Sequence, residues 1–107
     1  MSKKSNFIKA VDIINRMFND DVEIEITVVG DTILTEVNKP FDEICKLNFL
    51  EYDFLKSIYV KKSLELKKEF PLLDFSFAFS DFDKNISYMA ILNGDILFDA
   101  FDRKNVE

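Results

Sequence analysis

Glu23 and Glu25 stand two positions apart in a stretch of alternating polarity, with Asp20 and Asp21 just before them and Glu36 on the next apolar stretch. Two carboxylates on one face of a strand lie about 7 Å apart. With Asp20, Asp21 or Glu36 close by, they form a group that could hold magnesium in a nuclease-like site. The usual companion of such a group, a strand-borne Glu-x-Lys, is missing. Glu65-Leu66-Lys67 is the chain's one Glu-x-Lys, and it falls in a helical pattern. A metal-dependent carboxylate enzyme is therefore a third reading, behind two non-catalytic ones.

Other chemistries fail on residue type. The chain has no histidine, which removes Ser-His-Asp and Cys-His pairs, imidazole acid–base catalysis and most zinc or non-haem iron sites. Cys45 is the single cysteine, so neither an intrachain disulfide nor a thiolate cluster within one chain can form. Its neighbours Glu43 and Lys46 give no reason for a lowered thiol pKa, and it reads as a small, at least half-buried hydrophobe. Asp81, Asp83 and Asn85 match positions one, three and five of a calcium loop. The glycine and bidentate glutamate such a loop also needs are replaced by Ile86 and Leu92, so Asp81–Asn85 reads as a polar turn. Only two glycines occur, and no phosphate-cradling motif is present. The expectation is a protein with no catalytic residues, no metal and no cofactor.

Charge offers more. The net charge is −6, but its distribution is uneven. Residues 20–55 carry ten acids and two bases, whereas residues 1–19 and 56–71 are each net positive. Direct nucleic-acid binding is disfavoured, because phosphate needs a concentrated basic surface. Carboxylates spaced along a strand instead imitate the sign and spacing of a phosphate backbone. The first reading is thus a small acidic protein-binding module, of inhibitor or immunity type, that blocks the basic surface of a partner such as a nucleic-acid enzyme. Its expected contact residues are Asp20, Asp21, Glu23, Glu25, Asp31, Glu36 and Phe82. The competing explanation for the same acids is a solvated surface that keeps the chain soluble.

Phenylalanine supplies the second reading. Seven of the twelve fall between residues 70 and 101, and Phe82 in a turn and Phe101 opposite Phe98 are hard to bury together. A structural or assembly protein that self-associates through exposed rings, as a homodimer, follows from that excess. The abundance of Phe, Lys, Ile, Asn and Asp has the flavour of an AT-rich genome, that of a low-GC bacterium or its phage. With one cysteine, no secretory leader pattern and no stretch of about 18 apolar residues, the expected location is the cytoplasm, with no membrane role.

The elements that position these residues are legible from periodicity. Phe7, Ala10, Val11, Ile14, Met17 and Phe18 recur at helical spacing, predicting a helix over 6–18 capped by Ser5. Residues 22–29 alternate as a strand. Gly30-Asp31 suits a type II′ turn, and residues 32–37 return as its hairpin partner. Pro40 to Lys46 reads as a short helix, and Asn48 with Glu51 forms a capping box opening a helix over 49–69 that ends before Pro71. On that helix Leu50, Phe54, Leu55, Ile58 and Leu66 are expected to face inward. Alternating Phe75, Phe77 and Phe79, the doubly apolar 86–92, the Asn93-Gly94 type I′ turn and residues 95–101 make a three-stranded meander, followed by a polar tail over 102–107. The prediction is one α+β domain spanning 1–107, with an antiparallel sheet of about five strands and two principal helices.

Overall fold

A computed structural model describes residues 3–101, so the 102–107 tail lies outside the described residues. The fold is α+β: α1 (Lys3–Arg16), β1 (Ile24–Val29), β2 (Thr32–Asn38), α2 (Phe41–Cys45), α3 (Phe49–Glu69), β3 (Asp74–Asp81), β4 (Ile86–Leu92) and β5 (Asp95–Asp99). The strands form one five-stranded sheet in the order β1-β2-β3-β4-β5. Three of the four strand pairings are antiparallel and β2 pairs with β3 in parallel, which departs from the fully antiparallel expectation. The reason is the connection. β2 and β3 are joined by α2 and α3, and a crossover of that length returns the chain to the same end of the sheet.

Both tight turns have the backbone their residues imply. Gly30 has φ +61° at the first loop position, as a type II′ turn requires. Asn93 and Gly94 are both positive, at +47° and +89°, as in type I′. Gly94 has a second reason to lack a side chain, because an added Cβ would run into Leu64 of α3. The capping box at α3 is closed from both sides: Glu51 N donates to Asn48 Oδ1 at 2.9 Å and Asn48 N donates to Glu51 Oε1 at 2.8 Å.

The helices and their core lie on one face of the sheet. In register across the middle strands, Ile33, Thr35 and Val37 of β2 stand beside Phe75, Phe77 and Phe79 of β3, with Ile91 and Met89 of β4 next to Phe77 and Phe79. All eight are completely buried. Ala10 and Ile14 of α1 and Tyr52, Tyr59 and Leu66 of α3 close this layer from above. The phenylalanines therefore form a ring-packed core. Tyr59 meets Phe79 edge-on at 5.0 Å and Phe77 at 5.6 Å between centroids.

The α3 core face differs from the expected one. Leu66 is buried and Leu55 and Ile58 are half-buried, but Leu50 and Phe54 point to solvent, 75 % and 69 % exposed. The helix carries apolar side chains on both sides, and the packed side is the one with Tyr52, Lys56, Tyr59, Ser63 and Leu66. These residues repeat every three or four positions, one continuous stripe facing the β3 phenylalanines. Tyr52 and Lys56 can point inward because Asp99 of β5 receives both, the Tyr52 hydroxyl at 2.8 Å and Lys56 Nζ at 2.5 Å.

Further corrections are local. Ser5 lies within α1, which starts at Lys3, three residues before the start its capping role implied, and ends at Arg16. Cys45 is exposed at the end of α2. Phe101 is half-buried in a cluster with Phe41, Tyr52 and Tyr88, and β5 stops at Asp99.

Thr35 is the odd member of the core, since its buried hydroxyl finds no partner among the described residues. Burying an unpaired hydroxyl is unfavourable, whereas a methyl of the same shape is not. Thr35→Val is expected to leave the free energy of unfolding unchanged or to raise it by up to about 1 kcal/mol in urea titration. A loss larger than that would show that the hydroxyl is satisfied after all.

Candidate protein-binding surface

The other face of the sheet is not covered by any helix among the described residues, and its composition follows from strand alternation. With Ile24 and Ile26 of β1 turned toward the core, Glu25 and Thr27 must face the opposite way. One row crosses all five strands in register: Glu25, Glu36, Ala78, Ala90 and Phe98. At about 4.8 Å per strand the row is roughly 19 Å long. Its middle is floored by Ala78 and Ala90, only 5 % and 8 % exposed, since a methyl group hardly rises above the sheet between longer neighbours. Phe98, 49 % exposed, stands at one end, and the two glutamates stand at the other. The result is a shallow trough with an acidic wall and an aromatic wall.

Glu25 and Glu36 are direct cross-strand partners, a placement in which like charges repel. Glu23, just before β1, accepts from the Asn38 side-chain amide at 3.1 Å. Asn38 Oδ1 in turn accepts from the backbone of Phe82 at 3.0 Å. Glu23, Glu25, Glu36 and Phe82 thus gather at the same end of the hairpin, around Asn38. Asp21 and Glu23 also line a cleft of about 280 Å³ with Glu43 and Lys39, and Asp20 is exposed in the same α1–β1 loop. Burial lowers the Lys39 pKa, with the nearby Glu43 carboxylate opposing that shift. Asp31 is not part of this group. It sits in the hairpin turn at the far end, where its carbonyl accepts from Asp74 N at 2.8 Å.

Phe82 is half-buried beside a small cavity of about 100 Å³ that Glu36, Ser80, Asp81 and Ser87 also line. Asp81 has a structural task. Its carboxylate accepts from Phe41 N at 2.8 Å and Lys84 N at 3.1 Å, tying the start of α2 and the β3–β4 turn to the sheet. The Phe41 backbone N–H is the main reason its pKa lies below the usual carboxylate range, with Lys84 adding to it against the effect of burial. That role explains why the calcium-like spacing of 81–85 is a turn. Among the described residues no three histidine, cysteine or acidic side chains converge in a way that could hold a metal ion. No described helix is long and apolar enough to cross a membrane.

Sequence reasoning missed Ala78 and Ala90 as members of a surface, and it left open which of Phe98 and Phe101 stays outside the core. The available signal was the doubly apolar character of β4, which marked a central strand but not which of its faces lacked a cover. No protein-family model, curated protein or solved structure matches the chain.

Proposed function

We propose that this chain is a protein-binding module that uses the uncovered sheet face, and not bond-making chemistry, to occupy a basic surface of a partner protein, in the manner of a small inhibitor. The observation that carries the reading is the transverse row Glu25–Glu36–Ala78–Ala90–Phe98. Two glutamates held side by side on a rigid sheet keep an unfavourable contact that an incoming lysine or arginine relieves. Two alanines leave room for an apolar ridge of the partner, and Phe98 offers an aromatic anchor of the kind that dominates interface energies. β1 is the end strand of the sheet among the described residues, and it carries part of the acidic wall. It has six residues without proline, lysine or bulge, so its backbone can accept an extended segment from the same partner. Because Glu23 and Glu25 lie along that strand, with Glu36 beside Glu25 on β2, an extended basic segment suits it better than a second copy of β1. A partner that normally grips nucleic acid presents such basic segments, and occupying them excludes the nucleic acid. The cytoplasm, where such enzymes work, is the compartment this reading implies.

The test is affinity capture from a host extract on the immobilised chain, comparing the wild type with Glu25→Lys. The captured partner is expected to elute with rising salt, and Glu25→Lys should reduce capture about tenfold. The same substitution turns a repulsive cross-strand pair into an attractive one, so thermal stability should stay level or rise slightly. Equal capture by both forms would remove the acidic wall from the mechanism.

A further inference from the structure

Strand β1 bonds to β2 on one side only. Asn38 N donates to Glu23 O at 2.9 Å, and from Ile24 to Val29 the register with β2 continues without a shift. In an antiparallel ladder, alternate residues turn both of their backbone groups toward the same neighbour. Glu25, Thr27 and Val29 therefore bond to β2. The N–H and C=O groups of Ile24, Ile26 and Val28 point the other way, where no strand stands among the described residues. Side chains alternate in the same phase. Glu23 and Glu25 share the open sheet face about 7 Å apart. Ile24 and Ile26 are half-buried toward the core, and Val28 is 49 % exposed. The other end strand differs. β5 has five residues, and its register against β4 shifts between Ala90 and Ile91, an irregularity of the kind that blunts an edge.

We infer that β1 receives an antiparallel strand of the partner that reads, from its N- to its C-terminus, apolar, any, apolar, basic, apolar, basic, an inference that rests on the protein-binding role of the acidic sheet face. The three apolar residues stand opposite Val28, Ile26 and Ile24. Each exchanges two backbone hydrogen bonds with its opposite number and continues the core layer. The two basic residues then fall opposite Glu25 and Glu23. Those are the close pairs of the new ladder, with Cα atoms about 4.5 Å apart, because the hydrogen bonds lie at the residues between them. A parallel strand has no such close pairs, so the charges favour the antiparallel direction. They also fix the register, since a slip by one residue would carry both basic side chains to the core side. Glu36, beside Glu25 on β2, adds to the same negative field. A second copy of the chain fits less well. It brings the same net charge of −6, and its own β1, Ile-Glu-Ile-Thr-Val-Val, has no basic residue.

The probe is the peptide Val-Thr-Val-Arg-Val-Arg, blocked at both ends, titrated into the isotope-labelled protein and followed by NMR. The amide signals of Ile24, Ile26 and Val28 should move most. Val-Thr-Arg-Arg-Val-Val has the same composition but sets its arginines on opposite faces in every register, and it should bind at least about tenfold more weakly. N-methylation of the middle valine removes a donor that faces β1 and should weaken binding by a similar factor. N-methylation of the first arginine, whose N–H faces away, should not. Val28→Pro removes one outward N–H and leaves the bonds between β1 and β2 in place, so it should keep the wild-type circular dichroism and lose the peptide. Equal binding of the two peptides, or equal binding by Val28→Pro and the wild type, would overturn the inference. A partner captured from extract by Val28→Pro as by the wild type, but not by Glu25→Lys, would also overturn it while leaving the sheet-face reading intact. A wild type that sediments as a dimer, with Val28→Pro a monomer, would give this edge to a second copy and overturn it as well.

Discussion

Phe79→Ala is expected to lower the free energy of unfolding by about 3–5 kcal/mol. Its ring is completely buried and touches three others, with centroids at 5.0 Å from Tyr59, 6.3 Å from Tyr88 and 6.5 Å from Tyr52. Removing it takes away the transfer free energy of the ring and leaves a cavity that these tyrosines cannot all fill, because Tyr52 and Tyr88 are fixed by their hydroxyls to Asp99 and the Lys39 carbonyl. For a domain of ordinary stability, about 5–15 kcal/mol, that loss is large enough to populate the unfolded state at 37 °C. Phe98→Ala is the matched control. The same change on the open face removes a ring with one side in water, and its effect should stay within about 1 kcal/mol. Urea titration of both variants tests the contrast, and equal losses would mean that the sheet face is not open as described.

Asp99→Ala should produce a loss of similar size, about 3–5 kcal/mol, by a different route. The Asp99 and Lys56 side chains are 4 % and 10 % exposed and 2.5 Å apart, and Asp99 also receives the Tyr52 hydroxyl and the Phe101 backbone N–H. Deleting the carboxylate leaves an ammonium group in the interior with the half-exposed Asp53, at 3.7 Å, as its remaining ion-pair partner among the described residues. Replacing both partners at once, as Lys56→Met with Asp99→Leu, leaves no stranded charge and should recover most of the stability. Tyr52→Phe, which removes one of several bonds to Asp99, should lose only about 1 kcal/mol. If the double variant were as unstable as Asp99→Ala alone, the pair's value would lie in its particular bonds and not in mutual neutralisation.

These two results bear on function through geometry. Asp99 links β5 to the core face of α3, and Phe79 seats that face on β3. Together they decide which side of α3 looks outward. The sheet face depends on them less directly, because strand alternation fixes where Glu25, Glu36, Ala78 and Ala90 point, and the register of β5 on β4 sets Phe98 beside Ala90.

Much of this was legible in the sequence, wherever one local signal was unopposed. Alternation over 22–29, Gly30-Asp31 and Asn93-Gly94 defined the two hairpins. Asn48 with Glu51 started α3, and Pro71 marked its end. Such signals work because they rest on backbone geometry and on bonds within a few residues. The acidic character of the first hairpin was equally plain, being a matter of counting.

The tertiary structure alone decided three things. The parallel pairing of β2 with β3 depends on where a long crossover brings the chain back, and no local pattern encodes that. The inward face of α3 was ambiguous because Leu50 and Phe54 compete with Tyr52 and Tyr59 at the same period. The choice fell to residues that find distant partners, Asp99 forty-seven positions from Tyr52. The transverse row exists only through register, which sets residues from five strands side by side although they are spread over more than seventy positions. Local bonds choose the elements here, and long-range contacts choose the faces.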